Sequence, residues 1–268
     1  MNNIDDIRSD ATVLPVQRQE RIVALCGSQR FISVRDIAKA VVASVPTVQR
    51  DLEVLDRRGL LRRVRGGAMA VAASSLPVPV AERTHREIRA KQMIGRRAAK
   101  ELGEPGLIFL GSGTTVLCLL DHLDAAVHRR SQFVTNAYAV ARRLAELDLA
   151  HLLLPGRLIT AMEATVGEHA VAMLERFTFD HAVLGFQGVD VQEGLTDADV
   201  AEALLKSRAM SRARRVLGVV DASKWECVAP VHVAGLSDLS CVISDKLPRQ
   251  AKVNLKKLNI PLFEADKP

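Results

Sequence analysis

The segment SVPTVQRDLEVLDRRG at residues 44–59 reads as one capped helix and its stop. Ser44 is an N-cap residue, Pro46 falls in the first turn where a missing N–H costs nothing, and Gly59 supplies the terminator. The spacing predicts a helix from Val45 to about Arg58, with Leu52 and Leu55 turned to the core and Val45, Thr47, Val48, Gln49 and Arg50 on the exposed face. Upstream, Ser33 with Asp36 three positions later caps a second short helix whose inward residues are Ile37, Ala38 and Val41. A first helix starts near Gln17 and ends at Gly27, with Ile22, Val23 and Leu25 on one side. Downstream, Leu60–Val64 and Ala68–Val71 are expected to pair as strands joined through Arg65-Gly66-Gly67, whose glycines permit the positive φ of a tight hairpin. Three short helices followed by a hairpin describe a winged helix-turn-helix over residues 16–72.

Charge is partitioned in the same way. Residues 16–70 carry eleven basic and five acidic side chains, an excess equal to the +6 of the whole chain. A basic module joined to a near-neutral remainder points to a polyanionic partner for the first module alone. A helix-turn-helix reads double-stranded DNA by presenting the N-terminal side chains of its second helix to base edges in the major groove. Gln49 suits bidentate pairing with adenine, and Arg50 suits guanine or a phosphate. Arg62, Arg63 and Arg65 on the wing, with Gly66 and Gly67, are placed to meet the backbone or the minor groove. Any one of these arginines alone reads as a solvated charge. The coincidence of helix spacing, capped turn and Gly-Gly wing makes Ser44, Val45, Thr47, Val48, Gln49, Arg50, Arg62, Arg63, Arg65, Gly66 and Gly67 the candidate DNA-binding set.

The rest of the chain has another texture. Residues 1–15 read as a tail and 73–82 as a linker rich in Ser and Pro, leaving 83–265 for a second domain. A basic helix is expected over about Thr84–Leu102. Short apolar runs then alternate with amphipathic stretches. The runs are Leu107–Leu110, Gln132–Val134, His151–Leu154, His181–Leu184, Val216–Val220 and Cys241–Ile243; the helical stretches are Thr115–Leu123, Ala137–Leu147, Val200–Met210 and Arg249–Leu258. Such alternation implies an α/β fold, a three-layer domain around a largely parallel sheet.

Polar clusters follow several of those runs: Ser112-Gly113-Thr114-Thr115, Thr135-Asn136, Gly188-Val189-Asp190 and Asp221-Ala222-Ser223-Lys224. Open α/β sheets bind ligands at the C-terminal ends of their strands. The Gly/Ser/Thr loop joins a strand to a helix and offers N–H groups and hydroxyls suited to a phosphate, although Val116 stands where the dinucleotide fingerprint needs its third glycine.

Other classes are disfavoured. No run of about 18 uncharged apolar residues suggests a membrane span, and Asp5, Asp6, Arg8 and Asp10 occupy the place of a secretory signal, so a cytoplasmic protein is expected. Cys26, Cys118, Cys227 and Cys241 are scattered and fit thiols in a reducing compartment. The histidines lack ligand spacing, so neither a metal nor any other cofactor is expected.

The motifs together resemble the DeoR family of bacterial sugar-metabolism regulators. The resemblance rests on Ser44, Thr47 to Leu52, Leu55, Gly59, Leu60, Arg63 and Arg65 to Ala68, then on Glu82-Arg83, Lys91, the Gly-Thr-Thr loop, Thr135-Asn136, Gly167, Gly188 with Asp190, Lys206 and Asp221-x-Ser223-Lys224. It spans about residues 17–265 and differs from the family pattern at Gln49, Gly111 and Leu154-Pro155-Gly156. The resemblance implies a sensor domain related to ribose-5-phosphate isomerase and a phosphorylated sugar or polyol as effector. It implies that Ser112, Gly113, Thr114 and Thr115 hold the phosphate with Lys224 as cationic partner, and that Asp190 and Lys206 face the sugar hydroxyls. Thr135, Asn136 and Asp221 complete the expected effector set. Repression follows from the same resemblance, and pairing of the DNA-binding modules on symmetric half-sites points to self-association as a dimer or higher.

An isomerase-like enzyme and an architectural DNA binder are the alternatives. Gln187 stands where the isomerase pattern has its first carboxylate, and an amide accepts no proton at neutral pH, so binding without turnover is expected. An architectural protein has no use for a large neutral domain with polar strand ends.

Overall fold

The computed structural model describes residues 15–27, 32–57, 60–64, 66–69 and 80–265; within these the side chains at 15, 16, 27, 57, 62, 64, 69 and 81 are left aside. The expected tail except its last residue, Arg58, Gly59, Arg65 and all but the end of the expected linker lie outside the described residues. The chain divides at residues 71–72 into two compact units.

In the first unit α1 (Pro15–Gly27), β1 (Ile32–Ser33), α2 (Val34–Ala40) and α3 (Val45–Arg57) precede a hairpin of β2 (Arg62–Val64) and β3 (Gly67–Met69). The three strands form an antiparallel sheet in the order β1-β3-β2. Ser33 caps α2 as its spacing predicts: the Asp36 N–H donates to Ser33 Oγ at 3.1 Å, and Ser33 Oγ donates to the Asp36 carboxylate at 2.6 Å. Ser44 accepts from the Thr47 N–H at 3.3 Å. Val64 pairs with Gly67, and Gly66 takes φ +87°, so the turn needs the glycine. The core gathers Ile22, Cys26, Ile37, Val41, Leu52, Leu55, Leu61 and Ala68.

Val48 corrects the exposed face expected of α3. It is 0% exposed and belongs to that core. Val48, Leu52 and Leu55 recur at four and three positions, one stripe of a 3.6-residue helix, and burying a branched aliphatic side chain there outweighs leaving it to meet DNA. Arg18 ties α1 to α3 through Asp51, Nε to Oδ2 at 2.6 Å, and Gln19 donates to Asp51 Oδ1 at 3.0 Å.

The second unit runs α4 (Val80–His85), α5 (Ile88–Leu102), β4 (Leu107–Leu110), α6 (Thr114–Leu120), β5 (Gln132–Thr135), α7 (Tyr138–Glu146), β6 (His151–Leu153), β7 (Arg157–Ile159), β8 (Ala164–Val166) and α8 (Glu168–Leu174). It continues with β9 (Phe179–Leu184), β10 (Gly188–Asp190), β11 (Gly194–Asp197), α9 (Val200–Ser211), β12 (Ala213–Val219), β13 (Val231–Ala234), β14 (Cys241–Ser244), α10 (Arg249–Lys257) and β15 (Leu262–Glu264). Seven strands form one sheet in the order β15-β14-β12-β9-β4-β5-β6, and every pairing in it is parallel. β7 and β8 make a hairpin; β10, β11 and β13 make a small antiparallel sheet.

Alternation along the strands gives the layers. Ile108 and Leu110 pack with Ile94, Ala98, Val116, Leu119, Val140 and Leu144, which places α5, α6 and α7 on one face. Phe109 between them points the other way, to a core shared with Ala170, Leu174, Leu205, Ala209, Ala251 and Leu255 of α8, α9 and α10. The expected basic helix over Thr84–Leu102 is two helices. Glu87 adopts left-handed angles, φ 51° and ψ 33°, and Lys91 Nζ draws in the carbonyls of Arg83 and Arg86, which ends α4.

Candidate functional site

Strand order reverses between β4 and β9: from β4 the chain moves out to β5 and β6, and from β9 to β12, β14 and β15 on the other side. Connections leaving β4 and β9 therefore diverge and open a crevice at the C-terminal edge, the usual binding place of such sheets. A cavity of about 320 Å³ occupies it. Ser112 to Thr115 follow β4, Gly185, Phe186 and Gln187 follow β9, and Asp221, Ser223 and Lys224 follow β12; all line it. Lys206 of α9 and the α4–α5 junction, with Arg83, Arg86, Glu87 and Lys91, close the remaining walls. Lys206 is paired with buried carboxylates, but Arg83, Arg86, Lys91 and Lys224 outnumber Glu87 and Asp221 along the lining and give the cavity a positive field.

The loop has its conformation for local reasons. Gly113 takes φ +141°, outside the usual range of residues with a Cβ, and turns the chain into α6. At Gly111 a Cβ would fall 2.7 Å from Leu184 Cδ2, the end of a side chain that can give way. Thr114 and Thr115 begin α6, whose first-turn N–H groups have no partner within the helix.

Beneath the loop lies a buried ionic network. Lys206 Nζ is 2.6 Å from Asp197 Oδ2, 3.7 Å from Glu202 Oε1 and donates to Gly185 O at 2.8 Å. Glu202 accepts from Ser112 Oγ through one oxygen and from Asn136 Nδ2 at 3.0 Å through the other. Burial pushes the Glu202 pKa up, with Lys206 opposing and Asp197 reinforcing the rise. Glu202 thus holds Ser112 from behind, and Lys206 ties the network to the cavity wall.

Arg83 stands out. Its Nε and Nη2 are buried and have no hydrogen-bond partner. Burial lowers its pKa against the opposing fields of Asp197 and Glu202. Burial likewise lowers Lys91, with Asp221 opposing, while Lys91 Nζ donates to Arg83 O at 2.5 Å and Arg86 O at 2.6 Å.

Of the expected effector residues, Ser112, Gly113, Thr114, Thr115, Lys206, Asp221 and Lys224 line the cavity, whereas Thr135, Asn136 and Asp190 do not. Thr135 is fully buried and its Oγ1 accepts from the Ala137 N–H at 3.1 Å, which spends it on starting α7. Asn136 supports Glu202. Asp190 caps its own turn, accepting from the N–H groups of Gln192 at 2.8 Å and Glu193 at 3.1 Å. Arg83, Lys91, Gln187 and Glu202 enter the site without having been in the expected set. Glu202 and Lys206 are spaced i, i+4, which in a sequence reads as an ordinary surface ion pair; here both are buried.

On α3, Ser44, Val45, Gln49 and Arg50 are exposed and Thr47 half-buried, so five of the expected readers share the outer face. Arg63 is paired with Glu53 at 2.9 Å, and its N–H donates to Asp56 at 3.1 Å, which fixes the wing to α3. Gly66 is exposed and Gly67 buried; Arg62 and Arg65 fall where side chains are not described. Among the described residues no group of three His, Cys, Asp or Glu is arranged to hold a metal ion, and no helix is long and apolar enough to cross a membrane.

Residues 18–73 match the DeoR-like helix-turn-helix domain and residues 86–246 the DeoR C terminal sensor domain. The HTH-type transcriptional regulator GlpR of Haloferax volcanii is 32% identical over 87% of this chain and 91% of its own length. The glycerol-3-phosphate regulon repressor of Escherichia coli is 29% identical over 87% of this chain and 91% of its own. Among solved structures, ribose 5 phosphate isomerase A from Neisseria gonorrhoeae superposes with a TM-score of 0.39 and 14% identity, covering 51% of this chain and 53% of that one.

Proposed function

The chain belongs to the DeoR family of DNA-binding transcriptional regulators, and on that premise we propose that it is a repressor whose operator affinity is set by a phosphorylated sugar or polyol bound in the cavity. The observation that carries this reading is the convergence of Arg83, Lys91 and Lys224 on a cavity lined by Ser112–Thr115, with Arg83 Nε and Nη2 lacking acceptors. Buried donors without acceptors are costly, and a phosphate supplies several acceptor oxygens in one group. The volume suits a small metabolite. Asp221, Gln187 and Glu87 also line the cavity and offer acceptors for hydroxyls.

Binding without turnover is the reading we favour. Gln187 lines the cavity as a neutral amide, Glu202 is spent on Ser112 and Asn136, and of the two lining carboxylates Asp221 is engaged by Ser223, which leaves Glu87 without a second uncommitted carboxylate for moving protons between adjacent carbons. The names of the relatives, a regulator and a glycerol-3-phosphate regulon repressor, support the same reading. A cytoplasmic protein acting as a dimer or larger assembly on symmetric half-sites completes it.

Thermal unfolding in the presence of a panel of phosphorylated sugars and polyols, each beside its unphosphorylated counterpart, tests the proposal. A ligand bound by the folded state alone raises the transition by mass action, and only phosphorylated members should do so. A hit that is then consumed in solution would replace the regulator with an enzyme.

A further inference from the structure

Arg83 is placed to do more than bind. It lies on α4, the first described element of the second unit, which β3 reaches in sequence through residues 70–79. Its buried Nε and Nη2 lack acceptors, although a guanidinium brings five N–H donors.

α4 and α5 are held very differently. α5 is locked onto α6: a Cβ at Gly95 would fall 2.6 Å from the carbonyl carbon of Cys118, and Ile94, Ala98 and Leu102 are buried. Glu87 then breaks the helix in a left-handed conformation that residues with a Cβ adopt at a cost. α4 is held through Val80 and through Lys91, and Arg83 offers a third point. Val80 lines a small apolar recess with Leu117, Ala139, Val140 and Met162. Lys91, reaching from α5, spends two of its three donors on the carbonyls of Arg83 and Arg86. Arg83 lines the cavity, and its buried Nε and Nη2 have no acceptor.

We infer that Arg83 is the residue through which the cavity's anion fastens α4, so that α4, and not the long α5, reports occupancy to the chain leading from the DNA-binding unit. The inference rests on the anion-binding reading above. A bound anion completes the guanidinium's bonds and removes the alternative in which α4 swings out to hydrate them. The element changes state because its third attachment exists only with ligand present, the differential interaction that any ligand-driven shift requires. α5 reaches the cavity through Lys91, but its close contact with α6 at Gly95 holds it whether or not an anion is bound, which leaves α4 as the element free to respond.

Hydrogen exchange of the full chain, followed by mass spectrometry with and without inorganic phosphate, tests this. Phosphate should slow exchange in α4 and in residues 112–116 by about tenfold, which corresponds to roughly 1.4 kcal/mol, and leave α5 unchanged. Arg83→Gln at saturating phosphate should keep the protection of residues 112–116 and lose that of α4. If the wild type gains protection only at residues 112–116, α4 is not the reporter although the anion site stands. If calorimetry detects no phosphate binding to the wild type, both readings fall. Arg83→Lys serves where the glutamine variant does not fold: it keeps the charge without the planar fork and should protect α4 less than arginine does. Protection equal to the wild type's in that variant would remove the guanidinium from the argument.

Discussion

Lys206 Nζ lies 2.6 Å from Asp197 Oδ2, and both side chains are almost wholly removed from solvent, at 5% and 0% exposure. Truncating one member of a buried pair leaves its partner's charge uncompensated. Lys206→Met should therefore cost about 3–5 kcal/mol, more than the pair contributes over an apolar replacement. Combining it with Asp197→Leu should recover part of the loss. Urea unfolding of the two single variants, the double variant and the wild type measures the coupling, and strictly additive losses would contradict it.

Glu202 gives the stability a pH dependence of known sign. Burial raises its pKa in the folded chain, so the folded state holds this proton to higher pH than the unfolded state does. Its favourable contribution is complete below the ordinary carboxylate value near ~4.3 and is lost as pH climbs through the raised value. Glu202→Gln retains an acceptor for Asn136 and a donor for Ser112 without a charge to bury. The variant should match the wild type in acid and exceed it at neutral and higher pH. Parallel unfolding curves across that range would show that Lys206 fully compensates the burial.

Neighbouring residues on α3 should separate stability from recognition. Val48→Ala removes two methyl groups from the core of the first unit and should cost about 1.5–3 kcal/mol of its stability. Gln49→Ala and Arg50→Ala are exposed changes that should leave unfolding almost untouched and weaken operator binding by about 1–3 kcal/mol each if they contact bases. Circular dichroism melts beside gel-shift titrations on one operator distinguish the two classes. An Arg50 variant of undiminished affinity would take that side chain off the reading face.

Thr114→Val combined with Thr115→Val keeps the size of both cavity-lining residues and deletes their hydroxyls. Hydrogen bonds to an anion are charge-assisted and worth about 1.5–3 kcal/mol each, so losing both should weaken phosphate binding by roughly 100-fold or more. DNA affinity without phosphate should not change. Calorimetry giving wild-type affinity for phosphate would move the anion away from α6.

Local rules made much of the fold legible. Leu107–Leu110 is β4 residue for residue, and the ends of α7, α9 and α10 fall within one or two residues of their expected positions. Periodicity, caps and turns act over a few residues and need no knowledge of the rest of the chain. The α/β class, the winged helix-turn-helix and the larger three-layer unit follow from them. Legibility ended where the outcome depended on distant partners. β13 is short and pairs with β11 across a long separation, Ala234 with Leu195, and the Thr84–Leu102 pattern continues through Glu87 because nothing nearby announces that Lys91 will capture the carbonyls of α4.

What the sequence by itself determined, then, was the set of elements, the basic first module and the polar turns after β4 and β12, since each is written in neighbouring residues. Only the tertiary structure decided which polar side chains share a cavity. Parallel crossovers carry the ends of β4, β9 and β12 side by side although they are far apart in the chain, so Ser112, Gln187 and Lys224 converge while Thr135, Asn136 and Asp190 do not. Burial was decided at the same level. Val48 turned inward, and Glu202 with Lys206 became a core pair and not a surface one, because the cost of removing a group from water depends on everything packed around it. For the same reason the free donors of Arg83 are visible only where the completed fold leaves them without a partner.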